Sequence, residues 1–309
     1  MRVVFLGTPE FAVPSLETLI SSGHEVVAVF TQPDRPKGRG KELTESPVKI
    51  AVRSAGLTIY QPERIRRPEN LELLKSLAPE LMIVVGYGQI IPQSIIDTAA
   101  RGILNVHASL LPKYRGAAPI QWAIANGETE TGVTIMQIDA GLDTGDMLLK
   151  AAVPIEPDET APELSVRLAR LGAQLLIRTV EQMIAGTVRR ERQDDTEATY
   201  APILKKQDGL VDWSLNARQI YNRLRGFTPW PGAYTMFRGQ QLLILKARIA
   251  EDLWIPSATL KPEKRRLFAG CGGNSTLELL ELQLSGNKRM PAQAFLNGYK
   301  PAEHERLGD

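Results

Sequence analysis

Asn105 and His107 stand two residues apart in the stretch ILNVHASLLPKYRG (103–116), and His107 is one of only three histidines, with His24 and His304. In a strand, residues two apart share a face. An amide and an imidazole on one face can stabilise a developing oxyanion and can move a proton near neutral pH. A single histidine in an apolar strand is more often a satisfied core group. Two polar groups on one face, near the carboxyl end of a strand, are harder to assign to packing, because that end of an open α/β sheet opens onto the ligand crevice.

The loop DAGLDTGDM (139–147) adds Asp139, Asp143 and Asp146. Asp and Gly are ordinary turn residues. The spacing does not match an EF-hand, and the closing glutamate is missing. Asp143-Thr144-Gly145 spells the aspartic-protease tripeptide, but no second copy is present. What remains is a carboxylate able to orient and charge-stabilise a histidine on the neighbouring strand. A basic loop, DRPKGRGK (34–41), sets Arg35, Lys37, Arg39 and Lys41 among Pro and Gly. Such a run is by default a solvated charge cluster. The first strand ends in GTPEF, without the glycine fingerprint of dinucleotide sites.

The elements that must hold these residues alternate through the first two thirds of the chain. Strands are expected at 2–7, 25–32, 57–62, 81–88, 103–108, 132–139 and 146–155, the last two as a hairpin, with helices near 11–22, 48–56, 69–79 and 162–186. Alternation of this kind predicts a mostly parallel α/β sheet with right-handed crossovers. The pattern lapses over the charged stretch 189–206, which reads as a linker. Beyond it, a helix near 214–225 and short segments split by Gly and Pro suggest a small β-barrel. The expected division is therefore 1–188, linker 189–206, and 207–309.

A chain of 309 residues with 43% hydrophobic and 23% charged residues fits a two-domain globular protein. One cysteine excludes an internal disulfide framework, and one Cys with three scattered His gives no zinc spacing. No apolar run approaches a membrane span, so a cytoplasmic location is expected. Net charge is −3 over 1–205 and +5 over 206–309, a weak pointer to a polyanion partner at the back of the chain.

Two stretches, NVHASLLPKYRGAAPIQWAI and GVTIMQIDAGLDTGD, resemble the folate-dependent formyltransferase family. Narrower features, FLGTPEFAVPSL, TQPDRPKGRGKELTESPVK and FTPWPGAY, are similar to its tRNA-formylating branch. The resemblance covers nearly the whole chain and implies a Rossmann-like catalytic domain followed by an OB-like domain that binds tRNA. It implies transfer of formyl from N10 of 10-formyltetrahydrofolate to the amino group of methionine on initiator tRNA, with no metal, by a monomer. Asn105 and His107 would hold the oxyanion, and Asp143 would sit against His107 and help relay the amine's proton. Ser109, Leu110, Leu111 and Pro112, with Ile138, Asp139 and Gly141, would line the folate pocket. Arg35, Lys37, Arg39 and Lys41 would contact the acceptor arm. A sister enzyme acting on a small amine would need neither the basic loop nor the basic barrel. A non-catalytic RNA-binding protein would not need the Asn, His and Asp. The aromatic stretch FTPWPG reads as core rather than as a stacking surface.

Overall fold

The computed structural model describes residues 1–37 and 42–308, which divide into two compact units. The first unit takes 1–119, 130–154 and 165–201. Its centre is a seven-stranded sheet in the order Met147–Pro154, Glu130–Gln137, Ile103–His107, Leu81–Val85, Arg2–Gly7, Glu25–Phe30, Ile59–Tyr60. The last five strands of that order are mutually parallel. Leu81–Val85 is buried at every position, as a continuous apolar run requires when helices cover both faces. From Arg2–Gly7 the chain builds outward to Glu25–Phe30 and Ile59–Tyr60, then returns to the other side at Leu81–Val85. That reversal creates a crevice at the carboxyl ends of the two central strands.

Helices follow the local signals. In Pro47–Ala55, the Ser46 side chain accepts from the Lys49 N–H at 3.1 Å, proline opens the first turn, and Gly56 ends the helix at φ 66°. The hairpin read from the sequence is present: Glu130–Gln137 pairs antiparallel with Met147–Pro154, and also with Ile103–His107. Its connection, 138–146, is thereby delivered beside Asn105 and His107. The base of the basic loop is not irregular, as a run of Pro, Gly and charge suggested. Arg35–Lys37 and Glu42–Thr44 form a short antiparallel ladder. Arg39 and Lys41 lie outside the described residues.

Residues 189–201, expected within the linker, form part of the first unit. Glu191 and Met147 exchange backbone hydrogen bonds of 2.8 Å, and Tyr200–Ala201 pairs in parallel with Arg115–Gly116. The charged side chains of this stretch hide its periodicity, but its backbone is tied down.

The second unit joins 120–129, 155–164 and 202–308. An antiparallel sheet runs Ala233–Phe237, Gln240–Ala250, Ser275–Leu284, Arg266–Cys271, Leu260–Glu263, with Met290–Pro291 added to Ser275–Leu284. The segment 302–308 spans its two edges. Leu260 donates to Glu305 O at 2.8 Å on one edge, and Gly308 donates to Met236 O at 2.9 Å on the other. This strap gives the OB-like closure. Ile220 and Leu224 of the helix Ala217–Gly226 pack on Phe237, Leu242, Leu267 and Leu279 in the core. The two earlier segments are bound to that helix and its end. Trp122 meets Phe227 edge to face at 5.3 Å, and Arg225 Nη1 donates to Glu159 O at 3.0 Å. The FTPWPG stretch is core only in part: Phe227 is fully buried, whereas Trp230 is 56% exposed.

Candidate active site

Asn105 and His107 face the same side of Ile103–His107, opposite Met136 and Thr134 of the adjoining strand. His107 is 5% exposed. Its Nε2 lies 2.9 Å from the carbonyl oxygen of Tyr114. A carbonyl only accepts, so this contact places a proton on Nε2 and turns Nδ1 toward Asp143. Asp143 Oδ2 lies 3.6 Å from Nδ1, beyond a direct hydrogen bond. The carboxylate therefore acts on the ring by charge. Asp143 is held in place by two other donors: Gly116 N–H at 2.9 Å to Oδ2 and Asn105 Nδ2 at 3.3 Å to Oδ1. Asn105 thus keeps one amide hydrogen for another acceptor. The sequence-chosen trio converges into one cluster carried by two elements, the strand Ile103–His107 and the 138–146 connection.

The loop that carries Asp143 is shaped by its own polar groups. Asp139 accepts from Gly141 N–H at 3.0 Å and from Thr144 Oγ1 at 2.7 Å, an Asx-type turn. Asp143 itself adopts φ 53°, a left-handed conformation that costs a non-glycine residue about 1–3 kcal/mol. Gly145 has no such freedom to spare, since a Cβ there would stand 1.8 Å from Gln137 O.

Ser109–Pro112 form the wall next to the trio. Ser109 Oγ donates to Lys113 O at 2.6 Å, and Leu111 N–H donates to Thr134 Oγ1 at 3.1 Å. Thr134 in turn donates to Ser109 O at 2.7 Å. One threonine of the strand Glu130–Gln137 thus holds the Ser-Leu-Leu-Pro turn. Leu111 is buried in a small core with Met136 and Met147, while Leu110 is half-buried. Ile138 and Asp139 line a separate depression with Thr144, Arg190, Arg192 and Asp195. Gly141 is exposed. Arg35 is exposed at the mouth of a cleft of about 620 Å³ bordered by Thr8, Pro9, Gln32 and Tyr87, at the sheet's reversal. Residues absent from the sequence reading also reach the site: Tyr114, Gly116, Thr134 and Gln193. Thr134 offered a signal, as a polar residue inside GVTIMQ; the others contact through backbone or from distant sequence.

The Formyl transferase family profile matches residues 1–180, and the Formyl transferase C-terminal domain profile matches 203–300. A methionyl-tRNA formyltransferase of Solibacter usitatus is 57% identical over all of this chain and 99% of its own length. The chain belongs to the methionyl-tRNA formyltransferase family. The Koribacter versatilis member is 55% identical over the whole chain and 99% of its own. Among solved structures, a sugar 3N-formyl transferase, crystallised with dTDP and 5-N-formyl-THF, superposes with TM-score 0.69 at 19% identity. It covers 93% of this chain and 99% of its own, and shares the fold. Among the described residues, no helix is long and apolar enough to cross a membrane, and no three His, Cys, Asp or Glu side chains are grouped as metal ligands.

Proposed function

We propose that this family member transfers the formyl group of 10-formyltetrahydrofolate to the α-amino group of methionine on initiator methionyl-tRNA, in the cytoplasm, with Asn105, His107 and Asp143 as the catalytic residues. The observation that carries the assignment is the convergence of those three side chains: Asp143 lies 3.3 Å from Asn105 Nδ2 and 3.6 Å from His107 Nδ1.

The chemistry follows from what each group has left to offer. The methionine nitrogen attacks the formyl carbon, a C–N bond forms, and negative charge grows on the formyl oxygen. Asn105 presents its remaining amide hydrogen to that oxygen. Preorganised donors of this type contribute about 2.7–4 kcal/mol in acyl transfer. The attacking nitrogen becomes cationic and must lose a proton. His107 Nδ1 is the ring nitrogen not committed to a carbonyl, and the nearby Asp143 carboxylate stabilises the ring when it carries both protons. The C–N10 bond then breaks, and the proton passes to N10. Burial of His107 strengthens each of these electrostatic terms.

Ser109–Pro112 and the 138–141 segment are proposed to hold the folate co-substrate, with Leu110 offering apolar contact and backbone groups meeting the polar edge of the pterin. Arg35, Lys37, Arg39 and Lys41 are proposed to grip the acceptor arm. The position of Arg35 beside the switch-point cleft supports that reading. Residues 207–309 are proposed as the second tRNA contact, on the strength of their net +4 charge.

The deciding experiment is transfer of radiolabelled formyl from the folate to charged initiator tRNA, with nucleotide-sugar and purine-precursor amines as competitors. Label on the tRNA, undiminished by the amines, is expected. Label on a small amine in preference to tRNA would replace this reading with that of a small-substrate formyltransferase.

A further inference from the structure

The strained turn that carries Asp143 is clamped from outside the catalytic trio. Gln193 Nε2 donates both of its hydrogens, to Asp143 O and to Gly145 O, each at 2.8 Å. Its Oε1 accepts from Arg115 Nε at 3.0 Å. The Gln193 amide is therefore fully employed, and the residue is 5% exposed. Arg115 is 2% exposed and donates its Nη2 to Asp195 Oδ1 at 2.8 Å. The next residue after Arg115, Gly116, supplies the N–H that holds Asp143 Oδ2. One buried arginine thus stands in the chain beside the donor to the carboxylate and, through Gln193, also fixes the backbone on which that carboxylate is mounted.

We infer that Gln193 is a positioning residue for the transfer reaction, acting through Asp143, with Arg115 setting the orientation of its amide. The inference rests on the catalytic role of Asp143 proposed above. Asp143 at φ 53° is a backbone that relaxes when its carbonyl is released. Relaxation carries Oδ2 away from His107, and misplacement of a reacting group by about 1 Å costs on the order of 100-fold in rate. Gln193 touches neither reacting atom, and the two carbonyls it holds, of Asp143 and Gly145, lie outside the 138–141 segment proposed for folate, so its loss is expected to fall on kcat rather than on binding.

The test is a double-mutant cycle of Gln193→Met and Asp143→Ala, with Gln193→Glu as a second variant that keeps the acceptor for Arg115 and removes both donors. Formyl transfer to charged tRNA is measured with thermal melts on every protein. In the wild-type background, both Gln193 variants are expected to lower kcat by about 10–100-fold, with KM for folate and tRNA within about twofold. In the Asp143→Ala background the same Gln193 change is expected to cost under about twofold, because the group it positions is gone. An equal loss in both backgrounds overturns the inference, as does a normal kcat in Gln193→Glu, or failure of both variants to fold. A normal kcat in Asp143→Ala alone would instead overturn the catalytic reading of Asp143, so the two failures are distinguishable.

Discussion

The carbonyl oxygen of Tyr114 lies 2.9 Å from Nε2 of His107, and this one contact decides which edge of the imidazole is available for chemistry. The ring is anchored by a backbone group seven residues downstream, while its Nδ1 edge faces Asp143. A histidine held in this way cannot rotate to exchange its nitrogens during turnover without losing a buried hydrogen bond.

His107→Ala and Asn105→Ala should each lower kcat by about 10²–10³-fold, the usual cost of removing a group aimed at transition-state charge. The folate dissociation constant should change little, because Ser109 and Leu111 are held by Thr134 and not by the trio. Steady-state kinetics with separate titration of folate checks both halves. Near-normal turnover in either variant would refute the assignment.

Asp143→Asn should fold well and turn over slowly. Asparagine tolerates the left-handed backbone of this position better than any residue but glycine, and it can still accept from Gly116 N–H. It loses the charge facing His107. The melting temperature should move by no more than a few degrees, whereas kcat should fall at least tenfold and the pH–rate profile should change shape. A profile superimposable on the wild type would exclude a charge role for Asp143.

Glu278 lies between two arginines in the second unit. It accepts from Arg266 Nη2 at 2.6 Å and from Arg248 Nε at 2.7 Å, and is 4% exposed. The hydrogen bond from Arg266 is the main reason its carboxyl is held below the ordinary range, with Arg248 adding to it and burial opposing. A carboxyl depressed in the folded state stabilises the fold above its unfolded value, and that contribution disappears as pH falls through the folded value. Glu278→Gln should therefore cost about 1–3 kcal/mol at pH ~7. The gap from wild type should close toward pH ~3. Urea midpoints at the two pH values test this; a gap independent of pH would mean that the arginines contribute nothing through charge.

Arg39 and Lys41 sit between and beside Gly38 and Gly40 in the sequence. Arg39→Ala should weaken use of charged tRNA by about 1–3 kcal/mol, the typical cost of a charge-assisted hydrogen bond. It should also make the slope of log affinity against log salt shallower, since fewer counterions are released. Folate binding should be unaffected. If Arg39→Ala with Lys41→Ala leaves affinity and salt slope unaltered, the loop is a solvated charge run.

Much of the first unit was legible because its strands announce themselves. LMIVV and VVFL (3–6) are uninterrupted apolar runs, and burial on both faces leaves no polar residue to blur them. Asn105 and His107 stood out against such a background for the same reason. The second unit was legible as short strands, but not as the strap at 302–308, since backbone hydrogen bonds leave no side-chain signature. Nor could the partners of Asp143 be read. Gly116 and Tyr114 act through their main chain, and Gln193 sits in a run of charge 50 residues away from the carbonyl it holds.

The second unit is assembled from three stretches of chain, 120–129, 155–164 and the part beyond 201. Synthesis begins at the amino end, so Trp122 exists long before Phe227, and Glu159 before Arg225. At about 5–20 residues per second, the span from 164 to 225 takes roughly 3–12 s to emerge. For that interval Ile124, fully buried in the finished protein and packed close to Gly226, lacks that neighbour. The nascent protein therefore offers sticky surface to chaperones at a defined stage of translation. Nor can a single cut separate the units cleanly: any amino-terminal fragment ending near 201 would carry two orphaned pieces of its neighbour.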